Sequence, residues 1–202
     1  TVMPNYSVSK AYQIMTEGHY SQLPVVDSDN KLIGLVTEKL LAEVNPSSAT
    51  SLSVYEINYL LSKTKVQDIM KTGIFKINKD ALIEDAAIIM KENRISSLPV
   101  VEGDNYLAGI ITRTDIFKAF IDIMGVKATG TRIAITTEDK VGVLADITSI
   151  LAQHNINIRN ITDISENGKS EITIKVRSLD ATAAVEDIKA KGYNVTSVIT
   201  VH

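Results

Sequence analysis

Two stretches of the chain repeat one arrangement of apolar and polar positions. Ala11, Ile14 and Met15, and later Ile83, Ala86, Ala87 and Met90, fall at helical spacing and predict a helix with one covered face. Each helix is followed by the run Leu-Pro-Val-Val, at Leu23–Val26 and Leu98–Val101, whose proline suits the start of a strand. Turn residues come next, Asp29-Asn30 and Asp104-Asn105, and then a second apolar run, so each copy predicts a hairpin. A last helix is expected to begin near Thr37 and Thr112, whose hydroxyls are suited to cap free backbone N–H groups. Helix, strand, strand, helix is too little to bury a sheet, so the two copies are expected to pack together, sheet against sheet.

The repetition is dense. Residues 8–41 align with 83–116 without a gap, and 14 of the 34 pairs are identical, where average usage gives roughly two. One structural unit is therefore used twice. Between the copies, Pro46-Ser47-Ser48 predicts a turn, and Ser53 with Glu56 has capping-box spacing ahead of the stripe Ile57, Leu60, Leu61. This predicts an inserted helix over about residues 46–63. Residues Thr72 to Ile77 predict a short strand leading into the second copy.

After a helix expected over Asp115 to Met124 and closed by Gly125, the pattern changes. Strands are predicted at Arg132–Thr136, Ile156–Ile161, Ile172–Val176 and Tyr193–Val201, with helices around Val143–Leu151 and Ala184–Ile188. The order β-α-β-β-α-β is that of the ferredoxin-like split unit.

Composition narrows the function. A 202-residue chain with 45% hydrophobic content supports more than one compact unit. A net charge of -3 supplies no general basic field for nucleic acid, although a local phosphate pocket remains open. There is no cysteine, which excludes thiol chemistry and fits a cytoplasmic location, and no apolar run long enough to span a bilayer. No catalytic constellation stands out: His19, His154 and His202 lie in separate segments without metal-ligand spacing. Neither a catalytic residue nor a metal site is assigned.

The candidate chemistry sits in Gly109-Ile-Ile-Thr-Arg-Thr-Asp115. A strand glycine allows close approach to the backbone, and Thr112 with Asp115 places a hydroxyl and a carboxylate on one side of a helix's first turn. A carboxylate suits the vicinal hydroxyls of a ribose, and threonine suits a phosphate or ribose oxygen. The same two residues also suit a plain helix cap. In the first copy Thr37 is kept but Leu40 replaces the aspartate, so one site is expected to be intact and its sister weakened. Arg94 and Arg113 are candidates for a phosphate.

The paired Leu-Pro-Val-Val and Gly-h-h-Thr units, h being an apolar residue, with the lead-in Val66-Gln-Asp-Ile-Met70, resemble a tandem of cystathionine-β-synthase (CBS) domains, the Bateman module. The resemblance covers about residues 1–121, and the first copy shows no counterpart of that lead-in. It implies an adenosine nucleotide of the AMP or ATP type as a regulatory ligand, held by Thr112 and Asp115 with Ile74 and Ser97 near the base. Residues 131–202 resemble an ACT domain, which implies an amino acid or similar small ligand at Thr137, Asp139, Val141, Gly142 and Asn157. Gly142 ahead of a helix would present free N–H groups there. Val141 stands where that family often has proline. The whole order resembles the AcuB family, named for acetoin utilisation. The expected fold is thus α+β: a CBS pair with an inserted helix (1–64 and 65–125), then a ferredoxin-like ACT domain (131–202). The expected function is that of a non-catalytic regulatory protein, a homodimer through both modules with a protein effector as a further partner. The alternatives are a ligand-free dimeric scaffold and an unrecognised hydrolase.

Overall fold

The computed structural model describes residues 1–44, 53–125 and 128–202. The turn expected at Pro46–Ser48, the side chain of Ile57, and Val126 and Lys127 of the linker lie outside the described residues. The described chain forms two compact units, Thr1–Ile116 and Phe117–His202.

In the first unit, α1 (Val8–Gly18) starts at Ser7, whose side chain accepts a hydrogen bond from Lys10 N, and ends on His19 in the left-handed region. It buries Val8, Ala11 and Met15 against the hairpin of β1 (Gln22–Val26) and β2 (Leu32–Thr37). Then come α2 (Glu38–Val44), the inserted α3 (Val54–Lys63), the single turn α4 (Val66–Ile69) and β3 (Ile77–Asn78). The capping box of α3 is present: Glu56 N donates to Ser53 Oγ, and Glu56 accepts from Ser53 N. The hydrogen bonds from Ser53 hold the Glu56 carboxyl below its ordinary pKa. Helix α3 packs on α1.

The second copy repeats the pattern with α5 (Ile83–Asn93), β4 (Ser97–Glu102), β5 (Tyr106–Thr112) and α6 (Arg113–Ile123). Its own cluster comprises Ile77, Ala86, Met90, Leu98 and Ile116. The register matches residue for residue: Pro24 pairs with Leu35 and Val25 with Gly34, as Pro99 pairs with Ile110 and Val100 with Gly109. The strand expected over Thr72–Ile77 is shorter than the sequence reading has it, since only Ile77–Asn78 pairs, in parallel with Val100–Val101. Residues 72–76 form no regular element, and the lead-in ahead of them winds into α4, whose start is held by Lys65 N donating to Asp68 Oδ2 at 2.9 Å.

The two copies meet at their hairpin tips. Leu32 N donates to Asn105 O and Leu107 N to Asn30 O, both at 3.0 Å. Lys31 pairs with Asp104 across the same junction, and that hydrogen bond raises the lysine's pKa and lowers the aspartate's. Asn30 and Asn105, at φ 63° and 71°, supply the left-handed turn positions.

The second unit holds the later part of α6 and the β-α-β-β-α-β order predicted from sequence: β6 (Gly130–Glu138), α7 (Val143–Gln153), β7 (Ile158–Glu166), β8 (Lys169–Val176), α8 (Thr182–Ala190) and β9 (Asn194–Val201). The strand order is β7-β8-β6-β9, all neighbours antiparallel. Ile133, Ile135, Ile172 and Ile174 face Ile147, Leu151 and Ile188 of the two helices in one core. On the other strand positions Asn160 donates to Ile123 O at 2.9 Å, and the buried Lys175 donates to Gly125 O at 2.8 Å. These side chains satisfy carbonyls at the end of α6 that lack helical partners.

Candidate functional site

At the start of α6 the structure forms a reciprocal cap. Thr112 Oγ1 accepts from Asp115 N at 3.2 Å, while Asp115 Oδ2 accepts from Thr112 N at 2.8 Å and from Thr112 Oγ1 at 2.6 Å. The hydroxyl and carboxylate therefore stand together, as their spacing implies. The first copy keeps half of the device. Leu40 N donates to Thr37 Oγ1 at 3.3 Å, but the leucine returns nothing.

Cross-strand pairing brings other predicted residues alongside. Ser97 is the partner of Thr112, and in the first copy Gln22 is the partner of Thr37. Gln22 Nε2 donates to Ser97 Oγ, so Thr37, Gln22, Ser97 and Thr112 form one row where the two copies face each other. Ser97 is buried. Gln22 was not singled out from the sequence; its signal is that it aligns with Ser97 in the repeat. Arg113 is exposed, and its Nη2 donates to Ile95 O at 3.4 Å, next in sequence to Arg94, which ends α5 at φ 53°. Two cations thus flank the same strand end. Ile74 is half-buried in the stretch before β3, and no hydrogen bond ties it to the row.

In the second unit a cavity of about 680 Å³ is lined by Thr137, Val141, Gly142, Asp146, Lys191 and Tyr193, among others. Three of the five residues expected there, Thr137, Val141 and Gly142, are on its wall; Asp139 and Asn157 are not. Gly142 takes φ 97° ahead of α7, and Val141 is fully exposed. Asn157 uses its carbonyl to accept from Arg177 N. Asp146 was missed. It sits in the first turn of α7, accepts from Tyr193 Oη at 2.9 Å and pairs with Lys191 at 3.6 Å. Burial, followed by the bond to Asp146, pushes the Tyr193 phenol above its ordinary pKa. The positive end of α7 therefore already faces a carboxylate of the chain itself. His154 pairs with Asp187 at 2.7 Å, and no cluster suited to a metal occurs among the described residues.

The CBS-domain family model matches residues 1–45 and 66–122. The chain belongs to the CBS-domain family. An ACT-domain model matches residues 131–193, so the CBS pair is followed by an ACT domain. Among curated proteins, the CBS domain-containing protein CBSX1, chloroplastic, of Arabidopsis thaliana is 34% identical over 139 residues, covering 60% of this chain and 59% of that protein. The chain thus spans less than two thirds of that relative's length. Among solved structures, CBSX2 of the same plant in complex with AMP has a TM-score of 0.52 at 31% identity, covering 61% of this chain and 88% of that one. A putative acetoin utilization protein (AcuB) from Vibrio cholerae has a TM-score of 0.52 at 26% identity, covering 63% and 86%. Among the described residues, no helix of this CBS-domain protein is long and apolar enough to cross a membrane.

Proposed function

We propose that the chain is a non-catalytic regulatory protein whose CBS pair, at 1–64 and 65–125, binds one adenosine nucleotide of the AMP or ATP type. In this reading Asp115 accepts the ribose hydroxyls and Thr112 serves a ribose or phosphate oxygen. Ser97 and Ile74 lie at the base, Arg94 and Arg113 serve the phosphate, and Thr37 faces the site from the first copy. The observation that supports it is the reciprocal Thr112–Asp115 cap, whose threonine is the cross-strand partner of Ser97. A carboxylate already held by two donors is pre-organised for further hydrogen bonds. The AMP complex of the relative CBSX2 supports the choice of ligand.

The ACT domain, at 131–202, is assigned a small amino-acid-like ligand in the Thr137–Val141–Gly142 cavity, and the protein a cytoplasmic location and an effector protein. Thermal-shift measurements across AMP, ATP, cyclic dinucleotides and amino acids test the nucleotide assignment. At about a hundredfold excess over Kd, a ligand selective for the folded state stabilises by about 2.7 kcal/mol, a shift of roughly 5 °C or more for a chain of this size. A flat response to every nucleotide would support the constitutive scaffold instead.

Self-association is part of the same reading. Phe117, Phe120 and Ile121 of α6 and Met124 just past its end recur at i, i+3, i+4 and i+7, and each is exposed, Phe117 by 62%. Such a stripe is the pattern of a helix that meets another helix. Phe120→Glu is expected to shift the protein from dimer to monomer by about tenfold or more in dissociation constant, read by light scattering across a dilution series. An unchanged dimer would remove α6 from the interface.

A further inference from the structure

One row of side chains crosses all four strands of the ACT sheet. Asn160 of β7 is the cross-strand partner of Lys175 on β8, Lys175 of Arg132 on β6, and Arg132 of Ile199 on β9. Their chain neighbours Ile133, Ile174 and Val176 fill the core with α7 and α8, so by strand alternation this row points to the opposite face. Two cations therefore stand directly opposite each other on the two central strands. Like charges placed so destabilise a sheet.

The row lines a cavity of about 170 Å³, and Thr162 and Thr173 from the next row share its wall. Lys175 is only 6% exposed, and its bond to Gly125 O at the end of α6 gives it a structural role. Arg132 has no such role: it makes no ion pair among the described residues. The wall thus carries two cations and, among the described residues, no carboxylate. Its apolar part is Met124, just past α6, with Ile199 and Val201 of β9.

We propose that this cavity is a ligand site for a small carboxylate with a short apolar chain. The carboxylate is bound by Arg132 and Lys175, whose mutual repulsion it relieves, and the planar fork of the arginine matches its two oxygens. The chain of the acid lies against Met124, Ile199 and Val201. A volume well below the ~300 Å³ of a drug-sized pocket limits that chain to a few carbons. None of these residues lines the Thr137–Gly142 cavity, and all belong to the second unit, so the inference stands apart from the nucleotide and amino-acid readings.

The test is an NMR chemical-shift titration of the isotope-labelled full chain with sodium butyrate. Saturable shifts are expected at the amides of Arg132, Thr173 and Lys175. Butyramide, which keeps the shape without the charge, and inorganic phosphate, which keeps charge without the chain, should each bind about tenfold or more weakly than butyrate. Arg132→Gln should weaken butyrate by a similar factor, and because it removes one of two opposed cations it should melt no lower than the wild type. Absence of saturable butyrate binding, butyramide or phosphate bound as tightly as butyrate, or wild-type affinity in a folded Arg132→Gln chain overturns the proposal. The butyramide and phosphate comparisons use the wild-type chain, so they decide the matter whatever the stability of the variant.

Discussion

Asp115→Ala is expected to weaken AMP binding by about a hundredfold or more in isothermal titration. Two hydrogen bonds to an ionised carboxylate contribute about 1.5–3 kcal/mol each, and every 1.4 kcal/mol is tenfold in Kd. The same substitution removes half of the cap on α6, because Thr112 N and Oγ1 both donate to the lost carboxylate. That costs about 1 kcal/mol of stability, so the variant should remain folded at room temperature while binding collapses. Asp115→Asn separates the two contributions. Its amide oxygen still accepts from Thr112, so most of the cap persists, but the charge that strengthens the ribose contacts is gone. An intermediate loss of affinity with near wild-type stability is expected. If the alanine variant binds AMP as the wild type does, the carboxylate is a cap and nothing more.

The largest loss of stability is expected from Gly130→Ala. Gly130 opens β6 at φ 135°, a backbone conformation that residues with a side chain rarely adopt. An added Cβ would also penetrate the carbonyl oxygen of Val176 on the neighbouring strand. Neither the strand nor its partner can give way without breaking the pairing of Thr131 with Val176 that starts the central ladder. A loss of about 3 kcal/mol or more in the second unit follows. Urea denaturation read by circular dichroism checks it: the transition of the second unit should move to lower urea, and that of the first should stay in place. An unchanged profile would mean that the strand start relaxes freely.

The duplicated unit was legible because its signals are local and doubled. Leu-Pro-Val-Val, the Asn turns and the Thr-x-x-Asp start each specify a piece of backbone by themselves, and the structure forms the hairpins and the cap they imply. The ferredoxin-like order was legible for the same reason, alternation in β6 and β8 giving way to helical spacing in α7 and α8. Residues 72–77 misled because apolar alternation does not say whether a partner strand is available; only Ile77 and Asn78 find one, at Val100 and Val101. What the sequence hid was contact between distant positions. Gln22 reaches Ser97 only because the two copies face each other, and glutamine and serine share no obvious signature. Asp146, Lys191 and Tyr193 come from the start of α7 and the connection from α8 to β9, so their grouping is tertiary. Asn157 does not line the cavity they share, and its carbonyl accepts from Arg177 N.

The Thr112–Asp115 pair is complete and the Thr37–Leu40 pair is not, so the two halves should not be equivalent toward a nucleotide. Isothermal titration of AMP into the wild-type chain, with the protein concentration fixed by amino-acid analysis, tests this most directly. One equivalent bound per chain is the predicted result. Two equal sites per chain, or no heat at any concentration, would contradict the account.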